Sequence, residues 1–242
     1  MFIHYRTSGL VLKKEDRGEA NQLITFYTKD FGKLEILGKA IRKISSKLRS
    51  GTGIFYLSEI EFIQGKAHKT LTDAVLVDKF RNLRKDSKRL AVAYKITEIL
   101  ADLIKDQEKD EKIWRLFLET FHKLDNLTLL PVNYFLIYYY FLWNLFLVLG
   151  YQPEIYKCSF CQKKLEPNEI YFSGKNGAII CSQCSKKIQG VIVINEGLVK
   201  ILRLILKKDW LTFKRLKIEN YQKKALKEIS KNYLNFVAEQ SR

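Results

Sequence analysis

All four cysteines of the chain, Cys158, Cys161, Cys181 and Cys184, fall into one array spaced C-x2-C-x19-C-x2-C. Two tight pairs separated by about 15–20 residues are the spacing of a four-thiolate zinc site. Each pair grips one edge of a tetrahedron, and the intervening loop folds back to deliver the second pair. The loop supports this. Ile170-Tyr171-Phe172 and Ala178-Ile179-Ile180 are short β-prone runs, and Asn176-Gly177 between them favours a hairpin turn. The three histidines, His4, His68 and His122, lie far away in sequence.

Four protein ligands leave no open coordination position, so one Zn2+ per chain is expected in a structural role. Two disulfides are the rival reading. The opening Met1-Phe2-Ile3-His4-Tyr5-Arg6 lacks the apolar core and cleavage site of a secretory leader, which points to a reducing compartment and hence to metal. Lys157, Lys163, Lys164, Lys186 and Lys187 flank the cysteines. They either offset the double negative charge of a zinc tetrathiolate or contact nucleic acid, and both readings stay open.

The 242 residues carry a net charge of +17, which suggests a polyanionic partner. Residues 1–80 hold 14 basic and 9 acidic groups, residues 81–150 hold 11 and 9, and residues 151–242 hold 18 and 8. Nucleic acid is the commonest partner for such a surface. An anionic membrane and a merely lysine-rich, solvated surface are the other readings.

The elements that must position these groups begin with strands. Turn signals recur every ten or so residues through the first 80, with alternation between them. Leu10 and Leu12 alternate with Val11 and Lys13, Leu34 and Ile36 with Lys33 and Glu35, Ile60 and Phe62 with Glu59 and Glu61, and Val75 and Val77 with Leu76 and Asp78. The runs, roughly 3–14, 20–28, 33–41, 54–64 and 68–78, predict a small barrel. An OB-fold leads and an SH3-like barrel follows. Within it, Lys39, Arg42, Lys43, Lys47 and Arg49 occupy a stretch with no acidic residue between Glu35 and Glu59. Such a run would track a phosphate backbone. Phe26, Tyr27, Phe55 and Tyr56 are the aromatics available to stack bases, although barrel core is the simpler role for each.

From about residue 86 the period becomes helical. Leu90, Ala93, Thr97, Leu100 and Ile104 form one stripe, and Ile113, Trp114, Phe117, Leu118, Phe121 and Leu124 a second, with Asp110 as N-cap. The 19 residues from Val132 to Gly150 carry no charge, enough length to span a bilayer. Asn133, Asn144 and the hydroxyls of four tyrosines, with no basic cluster at either end, favour a buried central helix instead. Leu198, Ile201, Leu202 and Ile205, then Leu226, Ile229, Tyr233, Phe236 and Val237, predict two amphipathic helices with lysine-rich outer faces. The fold class expected is α+β and multidomain: a barrel over 1–80, a helical bundle over 81–155 and 188–242, and a four-cysteine module over 156–187. Glycine-rich phosphate loops, metalloprotease helices, serine elbows and carboxylate–histidine pairs are missing, so the expectation is a binding protein and not an enzyme.

This order of parts resembles the RecO family of bacterial recombination mediators. The local sequence matches too: Gly9-Leu-Val-Leu-Lys13, Gly18-Glu19-Ala20-Asn21, Thr28 with Phe31-Gly32-Lys33, and Gly38-Lys39-Ala40. Further on, Leu149-Gly150-Tyr151-Gln152-Pro153 leads into Cys158, and Tyr171-Phe172-Ser173 into Cys181. The chain departs from the family at Asn21, where Asp is usual, and at Gln162, where a glycine commonly follows the second cysteine.

The resemblance implies binding of single- and double-stranded DNA, annealing of complementary strands, and work with RecR and the single-stranded-DNA-binding protein to load RecA. It places the DNA contacts at Lys39, Arg42, Lys43, Lys47 and Arg49. It puts the pocket for the partner's acidic C-terminal tail in the helical region, where Arg81, Arg84, Lys88 and Arg89 are candidates by charge. It also implies a cytoplasmic, nucleoid-associated protein with no membrane partner. An RNA-binding barrel protein with a zinc ribbon shares the same charge and cysteines, and a membrane-associated adaptor would use Val132–Gly150 as its anchor.

Overall fold

Five strands, β1 (His4–Arg17), β2 (Asn21–Thr28), β3 (Gly32–Gly38), β4 (Leu57–Gln64) and β5 (Lys69–Asp78), close on one another in the order β1-β2-β3-β5-β4. The structure is a computed structural model and describes residues 3–104, 109–126, 134–165, 170–213 and 215–240. Every neighbouring pair is antiparallel except β3 and β5. This order makes the barrel OB-like. Closure rests on β1, whose first half pairs with β4 over His4–Leu10 and whose second half pairs with β2 over Gly9–Arg17. A bulge between Val11 and Lys13 bends the strand where it passes from one partner to the other.

Up to the bulge β1 alternates regularly; past it, Lys14 and not Lys13 lies opposite the core residue Ile24. Val11 joins Ile24, Phe26, Leu34, Ile36, Ile60, Phe62, Leu71 and Ala74 in the barrel interior. Leu10, paired across from Tyr27, is buried on the outer face instead. Irregularities between β4 and β5 have a similar effect: Val75 and Val77, read as a β-alternating pair, are each 57% exposed, while Leu71 and Ala74 point in. On the outside, Glu61 of β4 accepts hydrogen bonds from His4 Nδ1 (2.7 Å) and Arg6 Nε (2.6 Å) of β1. The His4 bond first, then the Arg6 bond, pulls the Glu61 carboxyl down to about 2.

Among the described residues three α-helices and a short 3-10 turn at Lys47–Gly51 complete this unit, which spans Met1–Asn126. The helices are α1 (Arg81–Lys85), α2 (Ser87–Leu103) and α3 (Glu111–Asp125). Asp86 caps α2 through the Lys88 and Arg89 amides, and Asp110 caps α3 through those of Lys112 and Ile113. The apolar stripe of α3 lies on the barrel. Tyr27 stacks on Trp114 (6.2 Å) and meets Phe117 edge-on (5.7 Å), and Phe55 meets Phe121 (5.6 Å). Lys33 of β3 donates to the Ala101 carbonyl in the last turn of α2 (3.0 Å), where a cation is favoured.

The second unit, Leu127–Arg242, is built on α4 (Tyr134–Val148). This is the uncharged run, and its residues from Leu136 to Phe146 are almost all buried; Val132 and Asn133 lie outside the described residues. Among the described residues, no helix is long and apolar enough to cross a membrane. The rest of the unit is the sheet β6 (Ile170–Ser173), β7 (Ala178–Cys181) and β8 (Val191–Ile194), the short α5 (Ser182–Ser185), then α6 (Glu196–Leu206), α7 (Trp210–Phe213) and α8 (Asn220–Gln240), with α6 and α8 packed on α4. Trp143 donates to Ser230 Oγ of α8 (2.9 Å), and Asn144 to the Ile205 carbonyl of α6 (3.1 Å). Two polar groups inside α4 thus fix its neighbours. Burial pushes the Tyr233 hydroxyl up to about 12, so it stays protonated and donates to the Tyr151 carbonyl (3.1 Å).

Candidate metal centre and nucleic-acid interface

The cysteine pairs reach one point because β6 and β7 form a hairpin. Ser173 pairs with Ala178, so the connection is the four residues Gly174-Lys175-Asn176-Gly177 rather than a two-residue turn. Gly177 has φ of +55°. A Cβ there would overlap the Tyr233 ring, and one on Gly174 would lie 2.7 Å from Asn232 Cβ, so both glycines let the hairpin tip lie against α8. Cys181 ends β7, and Cys184 sits one turn on in α5. The first knuckle is fastened to the same strand, as Ser159 N donates to the Ile179 carbonyl (3.0 Å).

The four sulfur atoms lie within 4.8 Å of one another. Cys161 and Cys181 are 3.8 Å apart, far beyond an S–S bond. A tetrahedron of thiolates about 2.3 Å from a central ion has edges of about 3.8 Å. The donor set and its spacing therefore fit one tetrahedral metal ion. Burial raises the Cys158 thiol, but the backbone N–H groups of Cys161, Cys181 and Phe160 outweigh it and bring the group down to about 6. Cys184 moves the other way, to about 12, under its sulfur neighbours, Cys181 first. A dication among the four sulfurs would favour their thiolate forms.

On the barrel, Lys39, Arg42, Lys43, Lys47 and Arg49 are all exposed. Their loop is not a loose tail. Ile41 is buried in the barrel core, and Leu48 packs against it. Ala40 N donates to Asn21 Oδ1 (2.8 Å), and Arg42 N to the Ala20 carbonyl (3.0 Å). An amide oxygen at Asn21 serves this bond as a carboxylate would. Arg42 and Arg49 meet at a cavity of about 350 Å3 that Lys14, Gln22 and Ile41 also line; Lys39, Lys43 and Lys47 are not part of it. A larger groove of about 830 Å3 crosses β2 and β3 to the β4–β5 turn. Arg17, Lys33, His68 and Lys69 supply its basic groups, with Leu23 and Leu37 among its apolar ones. In OB-folds this strand face and this loop hold oligonucleotides.

Lys14, Arg17, Lys33, His68 and Lys69 escaped the sequence reading because they are scattered along strands and gather only on closure. The aromatic candidates fall the other way. Phe26, Tyr27 and Phe55 are at most 1% exposed and cannot stack on bases. Tyr56 is partly open but covered by Arg84, whose guanidinium lies 4.5 Å from the ring centre. Of the charges considered for a partner tail, Arg89 donates to the Leu124 and Asp125 carbonyls (3.0 and 2.8 Å), and Arg84 also to the Ile54 carbonyl (2.6 Å). Arg81 and Lys88 are exposed.

Two family models cover nearly all of this chain: recombination protein O, N terminal, over residues 1–80, and recombination protein O, C terminal, over residues 84–242. The chain belongs to the recombination protein O family. Among its relatives are proteins named DNA repair protein RecO. That of Dehalococcoides mccartyi is 32% identical over 88% of this chain and 83% of its own length. That of Acetivibrio thermocellus is 30% identical over 84% and 79%, and that of Moorella thermoacetica 29% over 96% and 85%. The RecO barrel and its basic loop thus belong to a DNA repair family, and the role of this member lies in DNA repair and recombination.

One position in the metal knuckle is strained. Gln162 has φ of +60°, a left-handed conformation that costs a non-glycine residue about 1 kcal/mol. Its side chain recovers part of this by donating to the Ser159 carbonyl (3.0 Å). Gln162→Gly is expected to stabilise the second unit by about 0.5–1 kcal/mol, measured by urea unfolding of the metal-loaded protein.

Proposed function

We propose that this protein binds single- and double-stranded DNA, anneals complementary strands, and works with RecR to load RecA onto strands coated by the single-stranded-DNA-binding protein. The observation that carries the reading is the basic loop anchored on an OB-like barrel, in a chain of the RecO family. Lys39, Arg42, Lys43, Lys47 and Arg49 are the DNA contacts in this reading, and the groove over β2 and β3 gives the strand a path. Annealing requires no covalent chemistry. A basic surface neutralises two backbones, lowers their repulsion and raises local strand concentration, while base pairing drives the reaction. The partner's acidic tail is assigned to the helical region beside Arg81, Arg84, Lys88 and Arg89, with Arg81 and Lys88 the better placed because Arg84 and Arg89 already hold backbone carbonyls. By role the chain divides into a DNA-binding barrel (1–80), a helical part (81–155 and 188–242) and a metal module (156–187), acting on the nucleoid in the cytoplasm.

Cys158, Cys161, Cys181 and Cys184 hold a single Zn2+ in this reading. The ion supplies folding energy to the module and takes no part in a reaction, since four thiolates leave no site for substrate.

The test of function is annealing of complementary strands already coated with the cognate single-stranded-DNA-binding protein, which the protein should accelerate. Success on naked strands alone would leave a generic basic annealer, and preference for structured RNA would make this an RNA-binding barrel. The variant Lys39→Ala/Arg42→Ala/Lys43→Ala should weaken DNA binding and flatten its salt dependence by about 2–3 log units per log salt; an unchanged slope would place the surface elsewhere. Metal analysis should find one zinc per chain. Cys158→Ser/Cys161→Ser should lose it and the folded module together, read as lost protection from proteolysis.

A further inference from the structure

Lys14 of β1 meets Arg42 and Arg49 of the basic loop at one cavity of about 350 Å3, with Gln22 of β2 beside them. Three cations in one small space repel one another. The burial of Lys14 and the nearby Arg49 both hold its amine below the usual lysine range. Asp16 is the acid that answers this charge. It lies 3.2 Å from Arg42 Nη1, accepts from Gln22 Nε2 (2.8 Å), is itself exposed, and is not part of the cavity lining. The backbone that carries these three groups is nonetheless anchored. Arg42 is fastened through its amide to Ala20, Lys14 sits in the β1–β2 ladder opposite Ile24, and Arg49 follows Leu48, which packs on the barrel core.

Converging cations on an anchored backbone form a seat for a compact oxyanion. Two guanidinium forks match tetrahedral oxygens, and the ammonium adds a point charge. We propose that this cavity seats one phosphate of a bound nucleic-acid strand, with Lys14 as a ligand alongside Arg42 and Arg49. The seat rests on the DNA-binding reading and deepens it. It gives the strand a fixed register on the barrel, which the loop charges outside the cavity do not.

The experiment uses the full chain and a labelled single-stranded thymidine oligonucleotide, with affinity read by fluorescence anisotropy as salt is varied. One lost phosphate contact lowers the single-strand salt slope by about 0.7. Lys14→Ala should show that loss and bind roughly 3–10-fold more weakly at physiological salt, on the scale of the net contribution of one ordinary hydrogen bond. Lys14→Arg should bind as the parent does, and Arg49→Gln should reproduce the loss from a residue on the surface. Lys112→Ala, an exposed charge on α3, controls for net charge. If Lys14→Ala matches Lys112→Ala while the triple loop variant loses affinity, the seat is wrong and DNA binding stands. If the triple variant is also unaffected, both readings fall. Inorganic phosphate is the second probe. Lys14-dependent broadening of its 31P resonance, with an unchanged oligonucleotide slope, would assign the cavity to a free anion and overturn the proposal.

Discussion

A sheet of five short strands closes only if one strand serves two edges, and β1 does so. Its bulge near Leu12 lies where the strand passes from β4 to β2; ahead of it regular alternation puts Val11 in the interior and leaves Leu10 to be covered from outside. Two consequences follow. The outer face of β1 and β2 becomes an apolar floor on which α3 lies through Trp114 and Phe117. The β1–β2 turn, meanwhile, is carried to the place where Ala20 and Asn21 hold the backbone of the basic loop.

That second consequence connects fold to function. A lysine- and arginine-rich run of this length would, by itself, be a solvated tail. Here Ile41 is in the core and Arg42, the next residue, is in solvent. Alternating an anchor with a charge fixes where each cation points, and a fixed cation loses less entropy on meeting a phosphate than a mobile one. The second unit uses a different device. Its four cysteines are brought together by a hairpin whose glycine tip fits against α8, and whose strands share a core with Trp143 and Tyr233.

The cysteine array, the barrel and the buried character of α4 were legible because each rests on local spacing. Leu34 and Ile36 face inward as alternation requires, and Asp110 caps α3 where the pattern puts it. Alternation misled at Val75 and Val77, because bulges in the β4–β5 ladder shift the register and no local signal marks them. The short β8, a β-branched run after Gly190, could have been read and was not. Lys14 was invisible for another reason: its partners are distant in sequence, and only barrel closure brings them together. A helical stripe such as Trp114, Phe117 and Phe121 also does not say what it packs on; here it is the barrel's Tyr27 and Phe55.

The central claim is that the basic loop is an ordered part of the barrel before any strand arrives. Hydrogen–deuterium exchange of the free protein, resolved over residues 39–49, tests this most directly. The amides of Ala40 and Arg42, bonded to Asn21 Oδ1 and the Ala20 carbonyl, should exchange as slowly as the neighbouring strand amides of β2 and β3. Exchange of both at the rate of an unstructured peptide would contradict the account and return the loop to a mobile tail.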